Sequence, residues 1–193
     1  ISDGIGASRV IRNLKGVQQL ALSTAQGFIE VENQGNEEVS LSLMLSRTPS
    51  ANEDVKPIAN GVEIDVQYAD LKGNAITIDK LQQGKEVLAK IRVKKTNDSS
   101  PSMALTYAIP SGWEIWNERL TGGEESQGAT YTDIRDTSIS WYFAIEHGQT
   151  KEFVVRLRAA YGGQFVLPPT ICEDMYNPSC RANTTNGLTI VVR

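Results

Sequence analysis

Apolar and polar residues alternate over much of this chain, and that pattern predicts strands rather than helices. In the stretch 62–68, Val62, Ile64, Val66 and Tyr68 fall on one side and acidic or amide residues on the other. Similar alternation recurs further along, and no amphipathic helical stretch of ordinary length interrupts it. The pattern predicts an all-β protein, whose other clearest strands are 39–45, 76–78, 87–93, 131–135, 138–143 and 187–192.

The connections between these predicted strands are short, and this favours antiparallel pairing. Glycine and asparagine supply turns at 70–74 and 82–85, and many short strands joined by such turns are typical of a β-sandwich. The polar, proline-containing stretch 47–60 is the best boundary candidate. We therefore expect an antiparallel β-sandwich over 49–193, preceded by a smaller β piece over 1–48.

Composition narrows the class of protein further. The chain has 193 residues, 40% of them hydrophobic and 22% charged, with a net charge of −4. A chain of this length and hydrophobic fraction can form a sizeable core. Its small net negative charge, with the charged residues scattered along the chain, argues against nucleic acid or an anionic membrane as the main partner. A start at Ile1, without Met and without a signal-like segment, favours a piece of a larger protein.

Two cysteines, Cys172 and Cys180, bracket a tight segment that contains Met175, Tyr176 and Pro178. A zinc site needs about four ligands, and neither a C-x-x-C motif nor a nearby histidine accompanies this pair. A short-range disulfide in an oxidising compartment is the favoured interpretation. Two unrelated thiols remain the alternative, because spacing does not fix the separation of the Cα atoms.

The adjacent Met175 and Tyr176 are unusual in a solvated turn. Burying each side chain would contribute roughly 1.5–3 kcal/mol, and a nine-residue ring cannot enclose them. They either fold back on their own domain or dock on another one, and the sequence leaves both possibilities open. The residues expected to shape this presented loop are Pro168, Pro169, Asn177 and Pro178.

The residues that could support catalysis or metal binding lack the required patterns. The one histidine, His147, lies in a polar turn, and the sequence has no G-x-S-x-G, Walker or G-x-G-x-x-G motif. Asp133, Asp136, Glu173 and Asp174 lack the spacing of a calcium loop. We therefore expect no enzyme, no metal and no cofactor.

Four further motifs stand out in this sequence. They are IPSGWEI at 109–115, DIRD with WYF at 133–143, RAAYGGQFVLPP at 158–169 and EDMYNP at 173–178. They resemble the segments LPSGWEI, DxRDDRxxxYFDL, RATYxGxFxLPP and EAMYDP of the C-terminal macroglobulin-like domain of bacterial alpha-2-macroglobulins. Their order and spacing agree from about residue 62 to residue 193, and the first 48 residues resemble the connecting CUB-type module that precedes that domain.

This resemblance implies a role in a large protease trap of the periplasm or bacterial cell envelope, which can be anchored as a lipoprotein. In that family a thioester in an upstream helical domain of the same polypeptide reacts with the attacking protease. The resemblance implies that Met175 and Tyr176 cover the thioester, since a docked thioether and ring exclude water and amines. The thioester motif C-x-E-Q is not in this sequence, and Cys180 departs from the family pattern.

A second interpretation is a cell-surface β-sandwich module that binds a ligand or an adhesin partner. It would use an exposed aromatic patch, for which Trp113, Trp116 and Tyr131 are the candidates. The competing, purely structural interpretation is that these three side chains belong to the core.

Overall fold

A computed structural model describes residue 10 and residues 16–19, 30–44, 53–116 and 127–193. The chain divides into two compact units, 1–51 and 52–193. Over its described residues the second unit consists of strands, turns and loops. In chain order these strands are β1 (Ile58–Asn60), β2 (Val62–Ala69), β3 (Lys80–Gln82), β4 (Glu86–Lys95), β5 (Ser102–Ala108), β6 (Trp113–Ile115), β7 (Tyr131–Arg135), β8 (Ser138–Ala144), β9 (Thr150–Ala159), β10 (Gly163–Leu167), β11 (Ile171–Asp174), β12 (Arg181–Asn183) and β13 (Gly187–Val192).

The strands of the second unit form three sheets. One has six strands in the order β1-β12-β11-β5-β8-β7, one has four in the order β2-β4-β9-β6, and one has three in the order β10-β13-β3. Every strand pair in these sheets is antiparallel except β13 with β3, which is parallel. Parallel strands need a long connection between them. Here the connection from β3 to β13 is most of the unit itself, so no separate crossover segment is required.

The core lies between the six-stranded and four-stranded sheets. Trp141 and Phe143 on β8 both reach Phe153 on β9, with ring centroids 5.1 and 4.8 Å apart. All three side chains are buried, and tilted aromatic pairs at these separations add to the stabilisation from area burial. The antiparallel all-β sandwich expected from the alternating pattern is therefore confirmed.

Two of the predicted strands are wrong. Of the predicted strand 39–45, residues 39–44 are described and form no strand, and Leu41 and Leu43 are 66% and 67% exposed. Alternation suits a strand only where a neighbour pairs its backbone and an opposite layer covers its apolar face. Residues 76–78 form no strand, because pairing with β2 after the 70–74 turn is limited to the single bridge between Ala69 and Ala75. The next strand, β3, begins at Lys80.

Several details of the first unit lie outside the described residues. The predicted smaller β piece, 1–48, is described only at residue 10 and at 16–19 and 30–44. Across the described residues, no helix is long and apolar enough to cross a membrane.

We predict that Phe153→Ala lowers the free energy of unfolding by about 3–5 kcal/mol, because it removes the ring that joins the two sheets. Leu71→Ala, at a side chain that is half exposed in the 70–74 turn, is the control and should change it by less than about 0.5 kcal/mol. Urea unfolding followed by tryptophan fluorescence measures both. Equal effects would contradict the placement of the core.

Candidate functional site

The hairpin between β11 and β12 presents an apolar pair to solvent. Met175 is 51% exposed and Tyr176 is 76% exposed. Asp174, immediately before them, is the last residue of β11 and is buried. The side chains of this pair therefore do not fold back into the core of their own unit.

Main-chain hydrogen bonds close this hairpin at its base. The Asp174 N–H donates to the Cys180 carbonyl at 2.9 Å, and the Cys180 N–H donates to the Asn177 carbonyl at 2.9 Å. The Met175 N–H donates to the Ser102 carbonyl at the start of β5, at 3.0 Å. These bonds fix the hairpin to the six-stranded sheet.

The Asp174 carboxylate organises the tip of the loop. Its Oδ1 accepts the N–H groups of Tyr176 at 2.9 Å and Asn177 at 3.1 Å. Its Oδ2 accepts the Ser99 hydroxyl at 2.8 Å. A carboxylate that turns back to the following N–H groups forms an Asx turn, so Asp174 sets the backbone path that presents Met175 and Tyr176.

A buried lysine faces that carboxylate from the opposite sheet. Lys95 is the last residue of β4, and its Nζ lies 3.6 Å from Asp174 Oδ2, with both side chains completely buried. The Nζ also donates to the Ser99 hydroxyl at 2.7 Å and to the Ser100 carbonyl at 3.0 Å. Since buried charges require partners, the Lys95–Asp174 pair and its hydrogen bonds form a single interdependent group.

The environment of Asp174 holds the carboxylate in its charged form. Burial by itself raises the pKa of Asp174, but hydrogen bonds from Tyr176, Ser99 and Asn177, together with the charge on Lys95, outweigh it. The net result is a pKa below the usual value of an aspartate. The acceptor that positions the loop is therefore ionised at neutral pH.

Two further residues of the predicted site act in the hairpin. Asn177 Oδ1 accepts the Ser179 N–H at 3.2 Å, while the Ser179 carbonyl accepts Asn60 Nδ2 at 2.7 Å. Pro178 is exposed between them. These contacts tie the far side of the loop to β1.

The prolines predicted to shape the loop lie further back. Pro168 and Pro169 are half-buried in the connection from β10 to β11. Those two strands belong to different sheets, and a proline lacks the N–H that would continue a ladder. The pair is therefore at the point where the chain changes sheets, before the loop begins.

The predicted disulfide between Cys172 and Cys180 is absent from the structure, in which both cysteines are buried free thiols. Cys172 lies directly opposite Ala182 in the register of β11 with β12. Cys180 is therefore a diagonal neighbour of Cys172, typically about 7–8 Å away. A disulfide usually needs Cα atoms within about 6.8 Å, which explains the unbonded pair.

The other candidates from the sequence do not assemble into a site. His147 is exposed and pairs with Asp98 at 2.9 Å, and Asp133 pairs with Arg135 at 2.8 Å. In the part of the chain that the structure describes, no group of three or more His, Cys, Asp or Glu residues could hold a metal ion.

The three aromatic side chains of the alternative binding patch are split by the fold. Trp113 is buried at 4% exposure, while Trp116 and Tyr131 are 42% and 62% exposed. Trp113 begins β6 in the four-stranded sheet and Tyr131 begins β7 in the six-stranded sheet. Trp113 contributes to the core and not to a surface.

Sequence reasoning missed Lys95 and Ser99, although the strand pattern contains a signal for Lys95. In β4 the buried positions are Val87, Ala89, Ile91 and Val93, and Lys95 continues the same parity. A charged residue on the apolar side of an alternating strand needs a buried partner. Asp174 follows the same rule, two positions after the buried Cys172.

Comparison with known proteins identifies the family. A family model described as the bacterial alpha-2-macroglobulin MG10 domain matches residues 61–179. The chain belongs to this family. The MG10 match covers all of the hairpin except its last residue and the strand that follows it.

Curated relatives are much longer than this chain. It is 25% identical to alpha-2-macroglobulin of Escherichia coli strain K12 over 182 residues, which are 86% of the chain and 11% of the relative. It is 26% identical to that of Pasteurella multocida over 144 residues, which are 74% of the chain and 7% of the relative. The MG10 chain thus spans about a tenth of these proteins.

Solved structures share the fold. The Escherichia coli alpha-2-macroglobulin structure spanning MG7 to the C-terminus aligns with a TM-score of 0.64 and 25% identity, over 71% of this chain and 24% of that one. Salmonella alpha-2-macroglobulin reacted with methylamine aligns with a TM-score of 0.65 and 24% identity, over 74% of this chain and 10% of that one.

We predict that Lys95→Met destabilises the MG10 chain by about 3–5 kcal/mol, since it leaves the buried Asp174 charge without its partner. The double variant Lys95→Met/Asp174→Leu should be less destabilised than Lys95→Met alone. Arg135→Met, which breaks the exposed Arg135–Asp133 pair, is the control, at about 0–1 kcal/mol. If the loss of unfolding free energy in the double variant equals the sum of the losses in the two single variants, the coupling is contradicted.

We also predict an acid-sensitive contribution from Asp174. Because its folded pKa is depressed, its stabilisation is present above the unfolded value of about 3.9 and is lost as pH falls through the folded pKa. The stability difference between the MG10 chain and Asp174→Asn should therefore shrink below about pH 4. Urea unfolding at several pH values measures it. The pKa of Asp70 is also lowered, by hydrogen bonds from Asn74. Asp70 is present in both proteins, so its contribution to the pH dependence drops out of the stability difference. A difference that stays constant into acid would contradict the assignment.

Proposed function

We propose that this chain is the C-terminal macroglobulin-type domain of an alpha-2-macroglobulin-like protease trap, and that its loop docks on the thioester domain of the same polypeptide. The observation that carries the proposal is the exposed Met175–Tyr176 pair on a hairpin whose base is buried and hydrogen-bonded. A solvent-facing methionine and tyrosine at a fixed tip suit a contact with an apolar neighbour.

The proposed contact is protective rather than catalytic. A thioester survives in water only if water and amines are kept from its carbonyl carbon. In the proposed contact the thioether of Met175 and the ring of Tyr176 cover that carbon. Release on activation is a change in domain contact. The MG10 domain itself performs no chemistry in this scheme.

The family membership supports a wider setting for the domain. We expect the parent protein in the periplasm or bacterial cell envelope, either free or anchored as a lipoprotein, with target proteases as its external partners. The alternative of a ligand-binding surface module has less support, because Trp113 of its candidate patch is buried in the core.

Loss of the loop side chains should expose the thioester. In the full-length parent, Met175→Ala/Tyr176→Ala should increase the rate of methylamine incorporation and of thiol release by at least about tenfold, the equivalent of 1.4 kcal/mol of protection. Tyr161→Ala is the matched control, since Tyr161 is 61% exposed in the β9–β10 turn and lies outside the loop. Radiolabelled methylamine uptake measures the rate.

Two outcomes would contradict the shielding role. One is methylamine uptake in the double variant at the rate of the unsubstituted parent. The other is an equal increase in the Tyr161→Ala control, which would indicate a general loosening of the protein.

A further inference from the structure

The buried Lys95 amine also contacts two sulfur atoms. Its Nζ lies 3.4 Å from the sulfur of Cys180, at the end of the loop, and 3.4 Å from the sulfur of Met103. Lys95 and Cys180 are 0% and 1% exposed. An amine nitrogen and a thiol sulfur are thus held in contact in the core, with Lys95 at the end of β4 in one sheet and Cys180 directly before β12 of the other.

We propose that Lys95 and Cys180 form an oxidant-dependent covalent bridge, a sulfenamide bond between Nζ and Sγ, with hydrogen peroxide or a related hydroperoxide as the oxidant. The proposal does not depend on the proposed docking of the loop. It assigns to this pair a modification that would report peroxide exposure of the domain.

The reaction balances in two steps. Peroxide first oxidises the Cys180 thiol to a sulfenic acid and is itself reduced to water. The Lys95 amine then attacks the sulfur, the N–S bond forms, the S–O bond breaks, and the leaving hydroxide takes a proton to become a second water. The bridged protein has two hydrogens fewer than the reduced one. Sulfenic acids condense with nitrogen in this way when the nitrogen is close.

The surrounding groups supply what the second step needs. Lys95 must lose a proton to attack, and Nζ donates to Ser99 Oγ, which in turn donates to Asp174 Oδ2 at 2.8 Å. Asp174 stays ionised, so the proton leaves through Ser99 to water during local opening of this end of the domain.

Two half-buried residues border the Cys180 sulfur. A Cβ added at Gly61 would lie 3.0 Å from Sγ, and Asn97 Oδ1 accepts the thiol at 3.7 Å. Because neither residue is fully buried, a small peroxide would reach the sulfur during local opening of this end of the domain.

The second cysteine serves as an internal comparison. Burial, with a smaller contribution from the neighbouring Cys180, raises the pKa of the Cys172 thiol to about 12, so little of it is thiolate at neutral pH. The hydrogen bonds of Lys95 Nζ reach Cys180 and not Cys172. Cys172 should therefore remain reduced under conditions that bridge Cys180.

The test is peptide mass mapping of the 1–193 chain after treatment with hydrogen peroxide at neutral pH, with digestion under non-reducing conditions. We expect a pair of peptides joined through Lys95 and Cys180, two hydrogens lighter than their sum and separated by a phosphine reductant. Sulfoxide at the exposed Met175 confirms the oxidant dose. The Cys172→Ala variant should form the bridge in equal yield.

Four results would overturn the proposal. They are a Cys172–Cys180 disulfide, a Cys180 sulfinic acid with Lys95 unmodified, two reduced thiols at a dose that fully oxidises Met175, and an N–S bridge of equal yield in urea-unfolded chain. The last would show that the folded geometry does not direct the reaction. A bridge that carries an additional oxygen between nitrogen and sulfur would place the two atoms correctly but overturn the sulfenamide assignment.

Discussion

A charged pair with no access to solvent fixes the end of this domain that presents the loop. Lys95 ends β4 of one sheet and Asp174 ends β11 of the other, so their attraction acts across the sandwich at the end that presents the loop. Removing two ions from water is costly. The structure offsets this cost with hydrogen bonds to both partners, and those to Asp174 include the N–H groups of the loop itself. The hydrogen bonds that offset the cost of burying the pair therefore also fix the exposed Met175–Tyr176 tip.

The division between scaffold and loop follows from this arrangement. The aromatic contact of Trp141 with Phe153 holds the sheets together through apolar packing, which is insensitive to small changes in loop sequence. The loop depends on polar groups, whose geometry is strict and whose loss leaves a buried charge. The segment that this hairpin resembles, EAMYDP, has alanine at the position of Asp174. In this chain an alanine there would leave Lys95 without a counter-ion, so Lys95 and Asp174 depend on each other.

Much of the scaffold could be predicted from the sequence because alternation reports burial directly. The predicted strands 131–135 and 187–192 coincide with β7 and β13. The stretch 39–45 shows the limit, since an alternating pattern does not state whether a partner strand is available. The position of the hairpin could also be predicted, but the exposure of Met175 and Tyr176 could not, because the sequence leaves open whether they fold back on their own domain. The Lys95–Asp174 pair could not be predicted, because the two residues are far apart in the chain and only the packing of the two sheets brings them together. The register of β11 with β12 places Cys172 and Cys180 diagonally, which spacing alone could not reveal.

Amide hydrogen exchange of Tyr176 and Asn177 in the 1–193 chain tests the central claim most directly. Both residues lie at a solvent-facing tip, yet both N–H groups donate to the buried Asp174 carboxylate. We expect the two amides to exchange far more slowly than unstructured peptide amides, as Asp174 and Met175 amides at the base should. Exchange of Tyr176 and Asn177 at the rate of unstructured peptide, in a chain whose β4 and β11 amides remain protected, would contradict the account.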